Sequence, residues 1–262
     1  MGLPLRKTRQ IESDRFRRGL IVGPMKTPLA LVVVFLSVAF SWAEPANNHL
    51  TGKEKTDGWK LLFDGKSFEG WRGYQLDVAH PGWDVQDGCL VLTPTKGMTD
   101  LLTTKEYSDF ELVAEWQISE GGNSGILFRA SEDNQKVWHS AVEIQVLDNE
   151  FHLNKKTNEM ATVELTHAAG AIYSLYPAKT KSFRERGAWN ETRIVVNGTK
   201  VVVYHNGTKV GSYNTNAADF KKRVVNSKFN KYPGFGALPE GHIVLQAHGD
   251  AVKYRNLKLR KL

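Results

Sequence analysis

The sequence predicts an all-β protein, an antiparallel β-sandwich with minor helices, on three observations. Nearly every segment after residue 57 is a short run rich in Val, Ile, Leu and aromatic residues, closed by a Gly, Asn, Asp or Pro turn. Two Asn-Gly pairs, Asn197-Gly198 and Asn206-Gly207, lie between alternating apolar runs, a strong short-range hairpin signal. A helical period is confined to residues 217–225, "AADFKKRVV".

Taken in order, residues 25–43, "MKTPLALVVVFLSVAFSWA", join a Met and one Lys to an apolar run and the small-residue ending Ser41-Trp42-Ala43. This is the layout of a secretory signal peptide, with cleavage expected after Ala43. The run from Leu29 to Phe40 falls short of the ~20 apolar residues of a spanning helix. No stable membrane span is therefore expected after cleavage, and the mature protein is expected in the periplasm or outside the cell. Residues 1–24 are basic and unpatterned ahead of Met25, and read as a start codon assigned too early. Residues 44–56 read as a polar linker. Residues 57–262 read as one domain, because no Pro- or Ser-rich stretch interrupts them.

Within that domain, examples of the strands are "WKLLFDG", "WDVQDGCLVL", "FELVAEWQI", "SGILFRA", "AVEIQVLD", "TRIVVNG", "KVVVYHNG", "HIVLQAHG" and "VKYRNLKLRKL". Asn190, Asn197 and Asn206 fall in glycosylation sequons, yet the last two read first as turn formers, since hairpin turns favour Asn and Gly at positive φ.

Charge and cysteine content narrow the function classes. The chain carries +7, but residues 1–43 hold seven Lys or Arg and two acids, a net +5, so the remainder carries +2. A nucleic-acid partner loses its main support. Cys89 alternates with apolar neighbours as a core residue does, and as the single cysteine it offers neither a disulfide nor a thiolate cluster.

The segments "WKLLFDGKSFEGWRG", "GGNSGILFR", "VEIQVLDNE", "HAAGAIY", "AWNETRIVVNG", "HNGTKV", "SKFNKYPGFG" and "GHIVLQAHGDAVKYRNLKLR" together resemble the 3-keto-disaccharide hydrolase domain family. The resemblance runs from about Asp57 to Leu262. It implies a jelly-roll sandwich of the concanavalin A-like lectin and glucanase type, exported and acting on sugars oxidised at C3. Two positions depart from the expected pattern: Ala247 stands where an acidic or polar residue is expected, and Tyr254 where Phe is more usual.

A C3 ketone acidifies the C2 hydrogen, so a base can remove it, an enolate forms and the C1 leaving group departs. Such a site needs a base, a donor for the enolate oxygen and a proton for the departing oxygen. In "HSAVEIQVLD", Val142, Ile144 and Val146 share one face of a strand, while Glu143 and Gln145 share the other. Glu143 is the candidate base, partly desolvated with a raised pKa; the alternative is an exposed outer-face Glu. Gln145, on the same face, is assigned to substrate binding. Asp148, five positions from Glu143, faces away unless a bulge turns it.

His167 and His248 sit beside or near glycine at strand ends and are the other catalytic candidates. Asn123 and Arg129 in "GGNSGILFR", together with Tyr173, Lys228 and Gln246, complete a polar substrate pocket. Trp138 is the stacking candidate for a pyranose ring, whereas Trp189 reads as a core anchor. "KKRVVNSKFNKY" reads as a solvated face or a flap over the pocket. The expected substrate is an oxidised, 3-keto sugar. No transition-metal spacing is visible and no cofactor is expected, with structural calcium and oligomeric state left open. Two other readings stand beside the enzyme: a carbohydrate-binding module of the same fold, and a laminarinase-like retaining glucanase. The glucanase needs a second carboxyl ~5 to 5.5 Å from the first, which the Glu143 strand lacks unless Asp148 turns.

Overall fold

The computed structural model describes residues 47–78, 82–152, 164–178, 182, 184 and 187–262. The expected signal peptide, the residues before it and the first three linker positions lie outside the described residues.

Two antiparallel sheets enclose the core. One contains β1 (Lys60–Leu61), β3 (Trp83–Gln86), β4 (Cys89–Leu92), β6 (Phe110–Ile118), β9 (Asn190–Asn197), β10 (Lys200–His205), β11 (Thr208–Asn214) and β13 (Val252–Lys261). Its order is β11-β10-β9-β6-β13-β4-β3, with β1 beside β13. The other contains β2 (Trp71–Gly73), β5 (Leu101–Tyr107), β7 (Asn123–Ala130), β8 (Val142–Leu147) and β12 (Gly241–Leu245), in the order β2-β5-β12-β7-β8. The chain passes repeatedly from sheet to sheet, so strand neighbours are often distant in sequence, as the predicted jelly roll requires.

The inner faces meet through Leu90, Phe110, Trp116 and Tyr254 on one side and Leu101, Ile126, Ile144 and Leu245 on the other. A smaller apolar group, including Leu102, Leu127 and Val244, occupies the opposite face of the five-stranded sheet. Cross-strand register sets Arg72, Leu102, Val244, Leu127 and Glu143 in one row across that sheet. Directly opposed residues share a face, so Glu143 faces away from the sandwich core.

The two predicted hairpins differ. Between β10 and β11, Asn206 (φ 46°) and Gly207 (φ 76°) both adopt the left-handed region, the pattern of a type I′ turn. Between β9 and β10, Asn197 is a strand residue and Gly198 (φ 56°) is the first turn residue, so glycine alone supplies the positive φ. Asn206 Nδ2 donates to Ser182 O at 2.7 Å and to Asn190 Oδ1 at 2.8 Å, which commits two of the three sequon asparagines to structural hydrogen bonds.

The described part of the expected linker is docked. Helix α1 (Gly52–Thr56) is closed by a Thr51/Glu54 capping box, and Glu54 also accepts from Lys258 of β13. Asn48 and Asn256 exchange hydrogen bonds of 2.6 and 2.9 Å. These partners lie some two hundred residues away, which a polar run cannot reveal. After β8 comes the short helix α2 (Asn149–His152), and the predicted helix is α3 (Ala218–Val225). Cys89 is a buried free thiol whose pKa burial raises.

Candidate functional site

The site is built on the outer face of the five-stranded sheet. One edge of β8 pairs with β7. The other is covered by residues 170–173: Gly170 N donates to Gln145 O (2.8 Å), Gln145 N to Ala171 O (3.0 Å) and Tyr173 N to Glu143 O (3.0 Å). The period of two places Val142, Ile144 and Val146 in the core and Glu143 and Gln145 opposite them. That opposite face is not wet: Glu143 is 7% exposed and Gln145 1%. The exposed outer-face alternative for Glu143 is thereby ruled out.

Burial pushes the Glu143 carboxyl up to about 8, and the nearby Asp100 charge acts in the same direction. The Lys228 ammonium and a hydrogen bond from the Gln246 side chain oppose this with less effect. The expected direction of the shift holds, but its size makes Glu143 mostly a carboxylic acid at neutral pH rather than a ready base.

Asp100, absent from the sequence-based candidates, supplies a second carboxyl. It precedes β5, and its Oδ1 accepts from Ala247 N at 2.8 Å. Burial raises its pKa to about 6, with the Ala247 N–H bond and then the Lys136 charge pulling it back. Nothing in "TPTKGMTDLL" distinguished it from a turn aspartate. Ala247, the departure from the family pattern, contributes through its backbone N–H. Asp148 does not join the group: its Oδ2 accepts from Gly121 N (2.9 Å) and its Oδ1 from Glu150 N (3.2 Å), closing the turns on either side of β7 and β8. The glucanase arrangement of two carboxyls on one strand is therefore not formed.

Gln246 is fixed from both sides. Its N–H donates to Gly125 O (2.9 Å), and its carbonyl accepts from Ser124 Oγ (2.7 Å), which also bonds the Tyr254 hydroxyl at 2.8 Å. The Tyr254 departure thus matters: its hydroxyl reaches from the other sheet to brace the strand carrying Gln246. Asn123 Nδ2 lies 3.4 Å from His248 Nε2, and Asp250 Oδ2 accepts from Asn123 N at 3.0 Å. Among the described residues, Asn123 Oδ1, Gln145 Oε1 and Gln246 Oε1 are buried without a hydrogen-bond partner. These three acceptors surround Gly125 on one face, and buried acceptors of this kind are ordinarily satisfied.

Aromatic side chains and one lysine wall the group. His167 stacks on Tyr173 (4.7 Å between centroids, 24°), with Nε2 2.9 Å from Ser174 Oγ. Lys228 opens a 3-10 turn, Lys228–Lys231, that is anchored by buried Phe229. Its Nζ lies 4.3 Å from the Tyr173 ring centroid and 5.2 Å from that of Trp138. Tyr232 stacks on His139 at 4.0 Å and meets Trp138 edge-on at 5.2 Å. The basic segment is thus a wall of the site. Trp138 already carries Lys228 over one face, so it positions a cation there rather than leaving that face bare.

Two expectations fail. Arg129 is not in the pocket: two residues of β7 oppose one of β12 between Ala130 and Leu127, and Arg129 takes φ 52° in this bulge. The extra residue breaks the alternation. Arg129 donates instead to Ser108 O (3.1 and 2.8 Å), Gly198 O (2.9 Å) and Asp109 Oδ1 (3.1 Å), beside a separate cavity of about 580 Å³. Trp189 is no core anchor either; it is half-buried, with the Arg255 guanidinium 4.0 Å from its ring centroid. Among the described residues, no three His, Cys, Asp or Glu side chains group as a metal site.

Comparison with known proteins agrees with this architecture. The family model of the 3-keto-alpha-glucoside-1,2-lyase-like domain matches residues 58–260. The chain is 33% identical over 233 residues to a 3-keto-disaccharide hydrolase of Bacteroides thetaiotaomicron, covering 79% of each chain. It is also similar to crystal structures of two Parabacteroides distasonis proteins assigned as glycosyl hydrolases. One gives a TM-score of 0.74 at 29% identity, covering 83% of this chain and 100% of the other. The second gives 0.60 at 27%, covering 78% and 99%.

Proposed function

Because the chain belongs to the 3-keto-alpha-glucoside-1,2-lyase-like domain family, we propose that it is an exported enzyme cleaving the glycosidic bond of 3-keto-glycosides or 3-keto-disaccharides. Cleavage begins with removal of the C2 proton. The observation that carries this reading is a buried carboxyl, Glu143, kept protonated near neutral pH among three unsatisfied amide oxygens and one ammonium.

The three amide oxygens accept from sugar hydroxyls, which give the ring its orientation. An oxidised C3 has no hydroxyl to donate and instead needs a donor, so the ketone oxygen belongs at Lys228 Nζ. There the ammonium stabilises negative charge as the enolate forms. Glu143 moves a proton at the reacting carbons or the departing oxygen. His248, on the rim beside Asn123, and His167, behind Tyr173, orient polar neighbours. Export is supported by the signal-like residues 25–43.

The test is to incubate the protein with 3-keto-trehalose or a 3-keto-glucoside, and with the unoxidised sugars, and to follow release of the leaving group. Cleavage of the keto sugars alone, with turnover of 3-keto-trehalose lost in Glu143→Gln, is the expected result. Equal cleavage of unoxidised sugars, or binding without turnover of any keto sugar, sinks the reading; the latter result points to the binding module.

A further inference from the structure

We propose that Asp100 is a second catalytic carboxyl of this site: it takes the proton from C2 of the sugar, and Glu143 gives a proton to the departing glycosidic oxygen. This rests on the 3-keto reading above. Asp100 lies at the start of β5 and Glu143 on β8, with β12 and β7 between them. Three strand spacings of ~4.8 Å set their backbones ~14 Å apart. Both side chains close that distance. Glu143 leans over Gly125 of β7, where an added Cβ would stand 2.6 Å from Oε1. Asp100 turns toward β12, where Ala247 N–H bonds its Oδ1 at 2.8 Å. The side chain of the preceding residue, Gln246, lowers the Glu143 pKa slightly and so acts on the same carboxyl. Ala247 N–H thus holds one carboxyl and the space over Gly125 takes the other, on either side of a floor formed by a bare glycine and unsatisfied amide oxygens. A pyranose ring on that floor has C1 and C2 between them.

The surroundings separate the two roles. Asp100 faces Lys136 and Glu143, while Glu143 faces Asp100 and Lys228. Tyr254, which senses both carboxyls, is held protonated by burial. With Asp100 near 6 and Glu143 near 8, one is ionised and the other protonated at neutral pH, the division an acid–base pair needs.

The Asp100 carboxylate removes the C2 hydrogen, and the C–H electrons form the C2=C3 enolate. As the C3 carbonyl re-forms, a C1=C2 double bond forms, the C1–O bond breaks and the departing oxygen takes the Glu143 proton. Asp100 is now the acid and Glu143 the carboxylate. Water adding at C1 of this enone loses a proton to Glu143 while Asp100 returns one to C2. Both groups are reset and the net reaction is hydrolysis; release of the enone before water adds makes it an elimination.

The test follows C2 hydrogen exchange in deuterium oxide by proton NMR, using the full protein and 3-keto-1,5-anhydroglucitol, which has no leaving group at C1. Cleavage is followed in parallel with 3-keto-trehalose and 4-nitrophenyl 3-keto-glucoside. Asp100→Asn, which keeps an acceptor for Ala247 N–H, should lose exchange by about 100-fold or more at a melting temperature no lower than that of the wild type. It should also lose the rise of exchange through pH about 6. Glu143→Gln should retain most of the exchange, and lose cleavage of 3-keto-trehalose far more than of the nitrophenyl substrate. Exchange retained in Asp100→Asn, or lost only in Glu143→Gln, overturns the assignment. A wild-type protein that neither exchanges nor cleaves any keto sugar overturns the 3-keto reading and this pair with it.

Discussion

The Glu143 carboxyl lies over Gly125 so closely that a Cβ on the glycine would stand 2.6 Å from Oε1 and 2.8 Å from Cγ. Glycine is used here for the space its missing side chain leaves, a requirement of the neighbour rather than of the backbone. Gly125→Ala should therefore displace the carboxyl and lower kcat about 100-fold, the cost of a misplaced catalytic group. The melting temperature should change little, because the displaced atoms belong to one side chain and none to the backbone. Steady-state kinetics beside a thermal melt checks this, and an unchanged kcat refutes it.

Glu143 also makes stability fall as pH rises. Its folded pKa of about 8 lies above the ordinary value, so across the interval between them the folded protein keeps a proton that the unfolded chain has released. The associated stability is full below the ordinary carboxyl pKa and is lost as pH rises through about 8. Asp100 acts with the same sign, its window closing near 6. Glu143→Gln stays neutral throughout, so its melting temperature should match the wild type in acid, gain on it steadily as pH rises toward 8 and level off above. Each tenfold difference in the ionisation constant corresponds to ~1.4 kcal/mol. A gap between the two proteins that does not depend on pH contradicts the buried carboxyl.

Lys228 pulls the Glu143 pKa down while burial pushes it up. Lys228→Met should move the alkaline limb of the pH–rate profile to higher pH and lower kcat by roughly 10- to 1,000-fold, as loss of a charge-stabilising donor does. A limb that moves to lower pH, or stays in place, shows that the ammonium does not face Glu143.

Arg129 spans Ser108, Asp109 and Gly198 rather than lining the site. Arg129→Ala should destabilise the protein by about 1 to 3 kcal/mol, since the carbonyls it serves lose their donor. KM for a keto sugar should stay as in the wild type. Denaturant titration and kinetics measure the two effects separately, and a raised KM with unaltered stability would return Arg129 to the pocket.

Much of the fold was legible because its signals are local. A pleat with a period of two divides Val142, Ile144 and Val146 from Glu143 and Gln145 whatever surrounds the strand. The Asn206-Gly207 turn likewise carries its own backbone requirement. The hydrophobic pattern gave no warning that Arg129 leaves the pocket, because one extra residue in a bulge leaves no mark in it. It also gave no reason to single out Asp100, which owes its surroundings to Ala247, 147 residues away.

By itself, the sequence determined the all-β class, most of the strands and the face on which Glu143 stands, since each depends on residues a few positions apart. Only the tertiary structure decided that this face is closed rather than wet, that Tyr254 braces Gln246 through Ser124, and that a second carboxyl shares the site. Those features depend on strands brought together from distant parts of the chain. Burial and neighbouring charge, which set whether a carboxyl holds its proton, exist only once those strands are packed.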